Sequence, residues 1–366
     1  MKELLALDNF VTIPHGIIHQ KNLLQKVNAS EKYVFGDSFK QEMKRIRNTR
    51  KNKHIFGSSE YVKSGKGQCE AWREVMKVNS TQHWNLNIVV TYRRLHESLP
   101  SSWNQQFKKN RINSHVGPLR YRWPGVNGET RIPTFEEWLP TRIPKGKHKM
   151  NHIAYDRYNG WKECTDRVTL LDYHNPEVLL DNGTVVDGDL MTSFVCNGII
   201  GASHTCSHLV KPWMVNGLAQ KGKGKSNGSA SLDPGILADY AYEHGFIGKD
   251  FERPKVEEAI KKFIAGVGVT LPTKCPTSAT LKHLYDHSLK GEKWAHSIIS
   301  NARLEKQSGG GTPSLSTEQL HEFNLSWNRS LEEEKFCTVD CVEAMKRDEW
   351  KDFFEENYSG LNQTTG

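Results

Sequence analysis

The run Leu86 to Thr91, in the segment Asn85-Leu-Asn-Ile-Val-Val-Thr-Tyr-Arg-Arg94, constrains the fold of this chain more than any other feature. Ile88, Val89, Val90 and Thr91 are all β-branched, a combination that packs well on a pleated surface and less well in a helix. An apolar run of this length suits a strand buried on both faces, and such strands belong to parallel sheets covered by helices. The run ends at Tyr92-Arg93-Arg94, and Ser101 and Ser102 each stand eight residues beyond an arginine. Between them lies a polar turn and then residues able to open a helix, with Pro100 allowed in its first turn. A phosphate fits such a corner. An arginine at the carboxyl end of a strand offers a forked donor; serine hydroxyls and the free amides of a helix start add uncharged donors, and the helix dipole favours the anion.

The chain before residue 200 reads as alternating strands and helices, which argues for a parallel sheet flanked by helices. Strand candidates are Phe10 to Ile13, Tyr33 to Phe35, His54 to Phe56 and Leu86 to Thr91, with Val168 to Asp172 later; Ile18 to Val27, Phe39 to Arg47 and Cys69 to Val78 suit helices. Ser114 to Lys149 carries five prolines and is expected to hold no regular element. It is a candidate substrate loop or an ordinary surface excursion. The later part reads as helical. Asp233-Pro234 supplies a start for a helix with Ile236, Leu237 and Tyr240 on its apolar face, and Gly245 ends it. Ser316 and Gln319 form a capping box for a helix carrying Leu320 and Phe323. The expected organisation is an α/β core over residues 1–200 and a mainly helical part over 201–366.

A chain of 366 residues with 36% hydrophobic side chains can bury a substantial core, and a net charge of +8 favours polyanionic partners. The densest basic run, Lys40 to His54, has no interleaved aromatics of the kind that stack on bases, so it reads as a solvated helix face and nucleic acid is not an expected partner. Seven cysteines show no Cys-x-x-Cys pair, so a structural metal site is not expected, and at least one of them lacks an intramolecular disulfide partner. In an oxidising compartment Cys196 and Cys206 are the best-placed pair. Cys337 and Cys341, one helical turn apart, face demanding disulfide geometry, and each of these cysteines equally suits a buried thiol. Glycosylation sequons stand at Asn28, Asn79, Asn182, Asn227, Asn324, Asn328, Asn357 and Asn362, more than this composition supplies by chance, which favours a secretory history. The opening Met-Lys-Glu-Leu-Leu-Ala-Leu-Asp-Asn is broken too early by Asp8 and Asn9 to be a signal peptide, and no stretch is long enough to span a membrane.

The strand, arginine and serine eight residues later resemble the 3′-phosphate-binding segment of sulfotransferases that use 3′-phosphoadenosine 5′-phosphosulfate. Phe194-Val-Cys196 with Ala202, Thr205 and Cys206, the segment Ile236 to Gly245, and Trp327-Asn328-Arg-Ser330 are similar to sulfotransferase-like proteins of algae, the similarity running from about residue 10 to the end. The resemblance implies a P-loop-like α/β fold with a mainly parallel central sheet and a helical carboxyl-terminal part. It further implies transfer of a sulfuryl group to a carbohydrate hydroxyl without a metal, a polyanionic glycan as a possible acceptor, and the Golgi lumen or secretory pathway as the site of a longer parent protein. Arg93 and Ser101 would hold the 3′-phosphate of the donor, with Arg94 and Ser102 as the alternative register. The family's own phosphosulfate loop, between a first strand and helix, has no counterpart here, because the chain passes from Met1 to Leu7 straight into Phe10 to Ile13. Transfer by this chain alone is therefore expected to be near background.

Sulfuryl transfer needs a base for the acceptor proton and cations for the leaving phosphate. His15, just after the first strand candidate, and Glu60, after His54 to Phe56, are the candidate bases. Gly217 to Ser226 looks like a phosphate loop, but its glycine and Lys-Ser spacing fails and no strand precedes it, so it reads as a flexible basic loop. His15 with His19, and His204, Cys206 and His208 lining one side of a strand, are weak metal-ligand patterns. Two rival classes remain: a non-catalytic glycan- or nucleotide-binding module of the same fold, and a glycosyltransferase, disfavoured because no Asp-x-Asp motif stands at a strand end.

Overall fold

The computed structural model describes residues 8, 10–12, 24–26, 33–49, 54–56, 66–76, 85–112, 133–143, 153–179, 184–216, 235–248, 250–307 and 315–358. In chain order the elements begin with β1 (Phe10–Thr12), β2 (Leu24–Lys26), β3 (Tyr33–Phe35), α1 (Asp37–Thr49), β4 (His54–Phe56), α2 (Lys66–Met76), β5 (Ile88–Tyr92) and α3 (Leu95–Ile112). There follow α4 (Phe135–Arg142), α5 (Ile153–Lys162), β6 (Val168–Asp172), β7 (Glu177–Leu179), β8 (Val185–Asp187), α6 (Leu190–Ser193), a π-helix (Phe194–Gly198) and α7 (Ser203–Asn216). The last are α8 (Gly235–Glu243), α9 (Arg253–Val267), β9 (Thr273–Lys274), α10 (Ser278–Gln307), α11 (Thr317–Glu332), β10 (Thr338–Val339), α12 (Cys341–Ala344) and α13 (Asp348–Tyr358). Two compact units emerge, each assembled from three stretches. Met1–Arg93, Met150–Gly224 and Gly291–Ser314 form the first; Arg94–Lys149, Lys225–Lys290 and Leu315–Gly366 form the second.

The described residues are mostly helical, with an α/β character confined to short ladders. The strands make five two-stranded ladders, parallel for β1 with β4 and β5 with β6, antiparallel for the other three. Ile18 to Val27, expected as a helix, instead contains β2, which pairs antiparallel with β3 in the register Leu24 to Phe35.

In the first unit, β5 and β6 form the centre. Val90, Tyr92, Val168 and Leu170 are buried among Phe35, Phe39, Met43, Trp72, Tyr158 and Trp161. On α1 the buried residues Phe39, Met43 and Ile46 recur at helical spacing while Lys40, Lys44 and Arg45 are exposed, so this described part of the basic run is a solvated face. The other side of β5 meets the π-helix. A Cβ on Gly198 would come within 3.0 Å of a Val89 methyl and 3.5 Å of Leu171, so glycine allows this close approach. Thr91 is exposed, so the expected burial on both faces fails at that residue. Disulfides Cys69–Cys164 and Cys196–Cys206 lie within this unit, and the second ties the π-helix to α7.

The second unit is a helical assembly around Trp103, Phe135, Trp138, Leu237, Ile260, Leu284, Phe323, Phe336 and Trp350. The stretch expected to lack regular structure contains α4. Thr134 accepts from the Glu137 backbone, Glu137 returns a bond to Thr134, and Phe135, Trp138 and Leu139 share the buried face. The capping box and spaced apolar residues outweigh the prolines. Disulfide Cys275–Cys337 belongs to this unit, and Cys341 is a buried cysteine outside the three disulfides.

Candidate functional site

β5 and β6 end together, with Tyr92 opposite Asp172, and Tyr173 extends the ladder by donating its amide to the Tyr92 carbonyl at 2.9 Å. The carboxyl edge of a parallel pair is where open α/β folds place ligands. Tyr92 is anchored inside the first unit, its hydroxyl donating to Glu292 at 2.8 Å and its ring edge-on to Trp294. The next residue, Arg93, is half-buried, and its guanidinium carbon lies 5.6 Å from the centre of the Tyr173 ring. A guanidinium resting on an aromatic face keeps its donor edges in one plane, the geometry needed for a forked bond to phosphate. Beyond β6, Asp172 accepts from the His174 amide at 2.8 Å and turns the chain at this edge.

Ser101 lies in the second unit, half-buried in the second turn of α3. The helix opens at Leu95, earlier than the position of Pro100 suggests. Glu97 and Ser98 donate to the Arg94 carbonyl, and the His96 amide donates to Ser288 Oγ at 3.3 Å. The orphan amides of this helix start therefore belong to residues before Ser101, which can offer its hydroxyl but not a free helix-start amide. Arg94 is buried, with its guanidinium 6.0 Å from the Phe323 ring centre. It takes part in packing of the second unit, which leaves Arg93 as the arginine at the strand edge. His15 and Glu60 lie outside the described residues.

A second polar cluster sits at the start of α3. His96 is fully buried; its Nδ1 is 2.7 Å from Ser288 Oγ on α10 and its Nε2 is 3.1 Å from Ser326 Oγ on α11. Ser326 in turn donates to Glu97. The directions follow from these partners. Because Ser326 gives its proton to the carboxylate, Nε2 must donate to Ser326, and Ser288 donates to Nδ1 while accepting the His96 amide. Burial, reinforced by the charges of Arg94 and Lys335, lowers the His96 pKa from 6.5 to about 3, so the ring is neutral. Nothing in the local sequence marks this cluster, since its partners lie 192 and 230 residues away.

Among the described residues, no group of three or more His, Cys, Asp or Glu stands where it could hold a metal ion. His204 and His208 lie on α7, not on a strand, and Cys206 is disulfide-bonded. His15, His19 and the basic loop Gly217 to Ser226 fall outside the described residues. No helix among those described is long and apolar enough to cross a membrane. Compared with known proteins, the chain matches no family model, no curated protein and no solved structure.

Proposed function

We propose that this chain is a sulfotransferase-like protein that binds 3′-phosphoadenosine 5′-phosphosulfate and passes its sulfuryl group to a carbohydrate hydroxyl. The observation that carries the proposal is Arg93, held against Tyr173 at the carboxyl end of a parallel strand pair and followed directly by α3, which bears Ser101. In this reading β5 and β6 belong to a mainly parallel, P-loop-like central sheet, and Arg93 at its edge is a ligand of the donor's 3′-phosphate. The acceptor oxygen bonds to sulfur as the sulfur–oxygen bond to the phosphate breaks, leaving adenosine 3′,5′-bisphosphate. The acceptor proton passes to His15 or Glu60. The net charge of +8 suits a polyanionic glycan as acceptor, and three disulfides with many sequons suit the Golgi lumen.

The test is incubation of the full chain with donor carrying labelled sulfate and a panel of glycans. Nucleotide bound by the wild type and lost in Arg93→Ala, with label on glycans near background for lack of the phosphosulfate loop, is the expected result. Binding of a glycan but not of the nucleotide would instead assign a glycan-binding module of the same fold. No binding of the nucleotide or of any glycan would overturn both.

A further inference from the structure

Asn324 and Asn328 both head glycosylation sequons, one turn apart on α11, yet their surroundings differ. Asn324 is half-buried, and its Oδ1 accepts from the Tyr285 hydroxyl of α10 at 2.8 Å. The hydroxyls of both sequons are engaged, Ser326 by Glu97 and Ser330 by the Ser326 carbonyl, so the difference between the sites lies at the asparagines. Asn328 follows one turn on along the same side of the helix but is exposed. Phe323, Trp327 and Ser330 face the core, whereas Asn328 and Arg329 are exposed.

Leu325 and Leu331 stand three residues before and after Asn328, a spacing that makes them its neighbours on the helix surface. They are 50% and 39% exposed. An N-acetylglucosamine ring presents a face of C–H groups that can lie on such leucines while its hydroxyls stay in water. Three disulfides fit a compartment in which a lipid-linked oligosaccharide donor is also present.

We infer that Asn328 is an N-glycosylated residue whose first sugar rests on Leu325 and Leu331, and that Asn324 is unmodified. The Nδ2 atom of Asn328 bonds to C1 of the first N-acetylglucosamine. The bond from C1 to the donor's lipid diphosphate breaks, and the amide loses one proton. A sugar on Asn324 would have to enter the contact with Tyr285, which the folded second unit does not accommodate.

The experiment is secretion of the full chain behind a cleavable leader from a eukaryotic cell. The purified soluble protein is then treated with a glycan-releasing amidase in ¹⁸O-water, which leaves labelled aspartate at each formerly occupied site. Labelled aspartate at 328 in most molecules and unlabelled asparagine at 324 is expected. Asn328→Gln should remove one glycan's mass from the intact protein, and Asn324→Gln should remove none. Label at 324 without label at 328, or secreted protein unlabelled at both, would overturn the inference, as would failure of the chain to fold and leave the cell. The readout is independent of nucleotide binding and sulfate transfer, so this inference and the proposed function stand or fall separately.

Discussion

His96 shows how a single residue couples burial to pH in this protein. Its pKa of about 3 in the folded chain lies below the ordinary 6.5, so between those values the unfolded chain binds a proton that the folded chain refuses. Stability from this group is therefore complete above about pH 6.5 and falls as pH drops toward 3, by up to about 1.4 kcal/mol per pH unit. Chemical denaturation from pH 7 to pH 5 should show a steeper loss for the wild type than for His96→Gln. Parallel pH profiles for the two proteins would contradict the assignment of that slope to His96. The neighbouring arginines illustrate what sequence can and cannot tell. Strand termination at a Tyr-Arg-Arg step was legible from the β-branched run. The stacking of Arg93 on Tyr173 and the burial of Arg94 beside Phe323 were not, because each depends on a ring far along the chain.

Elements whose ends carry their own chemistry were the most legible. The capping box at Ser316 and Gln319 forms with both reciprocal bonds, and α8 ends at Gly245 as its sequence suggests. There the Gly245 amide donates to Tyr242 and the Phe246 amide to Ala241, the paired bonds of a Schellman turn. Ser316→Ala should cost about 1 kcal/mol through the lost cap. Gly245→Ala should cost roughly 1–2 kcal/mol, because φ is +75° while a Cβ there would meet nothing within 4 Å. Urea unfolding measures both, and an unchanged midpoint for Gly245→Ala would contradict the conformational origin of its effect. Short strands were harder. β2 was mistaken for part of a helix because three residues carry too little periodicity to declare themselves, and α4 was hidden by prolines on either side of its cap.

For the whole molecule, the interleaving of the chain was illegible, since each unit gathers three stretches that no local pattern connects. Of the cysteine pairings, Cys196–Cys206 was accessible from sequence because it closes a short turn; Cys69–Cys164 and Cys275–Cys337 span 95 and 62 residues and required the fold. Loop-closure entropy predicts that replacing the Cys69–Cys164 pair with alanines costs about 4–5 kcal/mol and replacing Cys196–Cys206 about 3 kcal/mol. Equilibrium unfolding of the two double variants tests that order, and a larger loss for the short loop would reverse it. At the same scale, the proposed function has the α/β core present Arg93 at a strand edge as a ligand for a nucleotide's 3′-phosphate. Calorimetry with adenosine 3′,5′-bisphosphate and adenosine 5′-monophosphate isolates that one phosphate. A charge-assisted bond contributes about 1.5 to 3 kcal/mol, so the wild type should prefer the bisphosphate by roughly ten- to a hundred-fold, and Arg93→Ala should abolish most of that preference. Equal affinity of the wild type for the two nucleotides, or a preference that survives in Arg93→Ala, would contradict it.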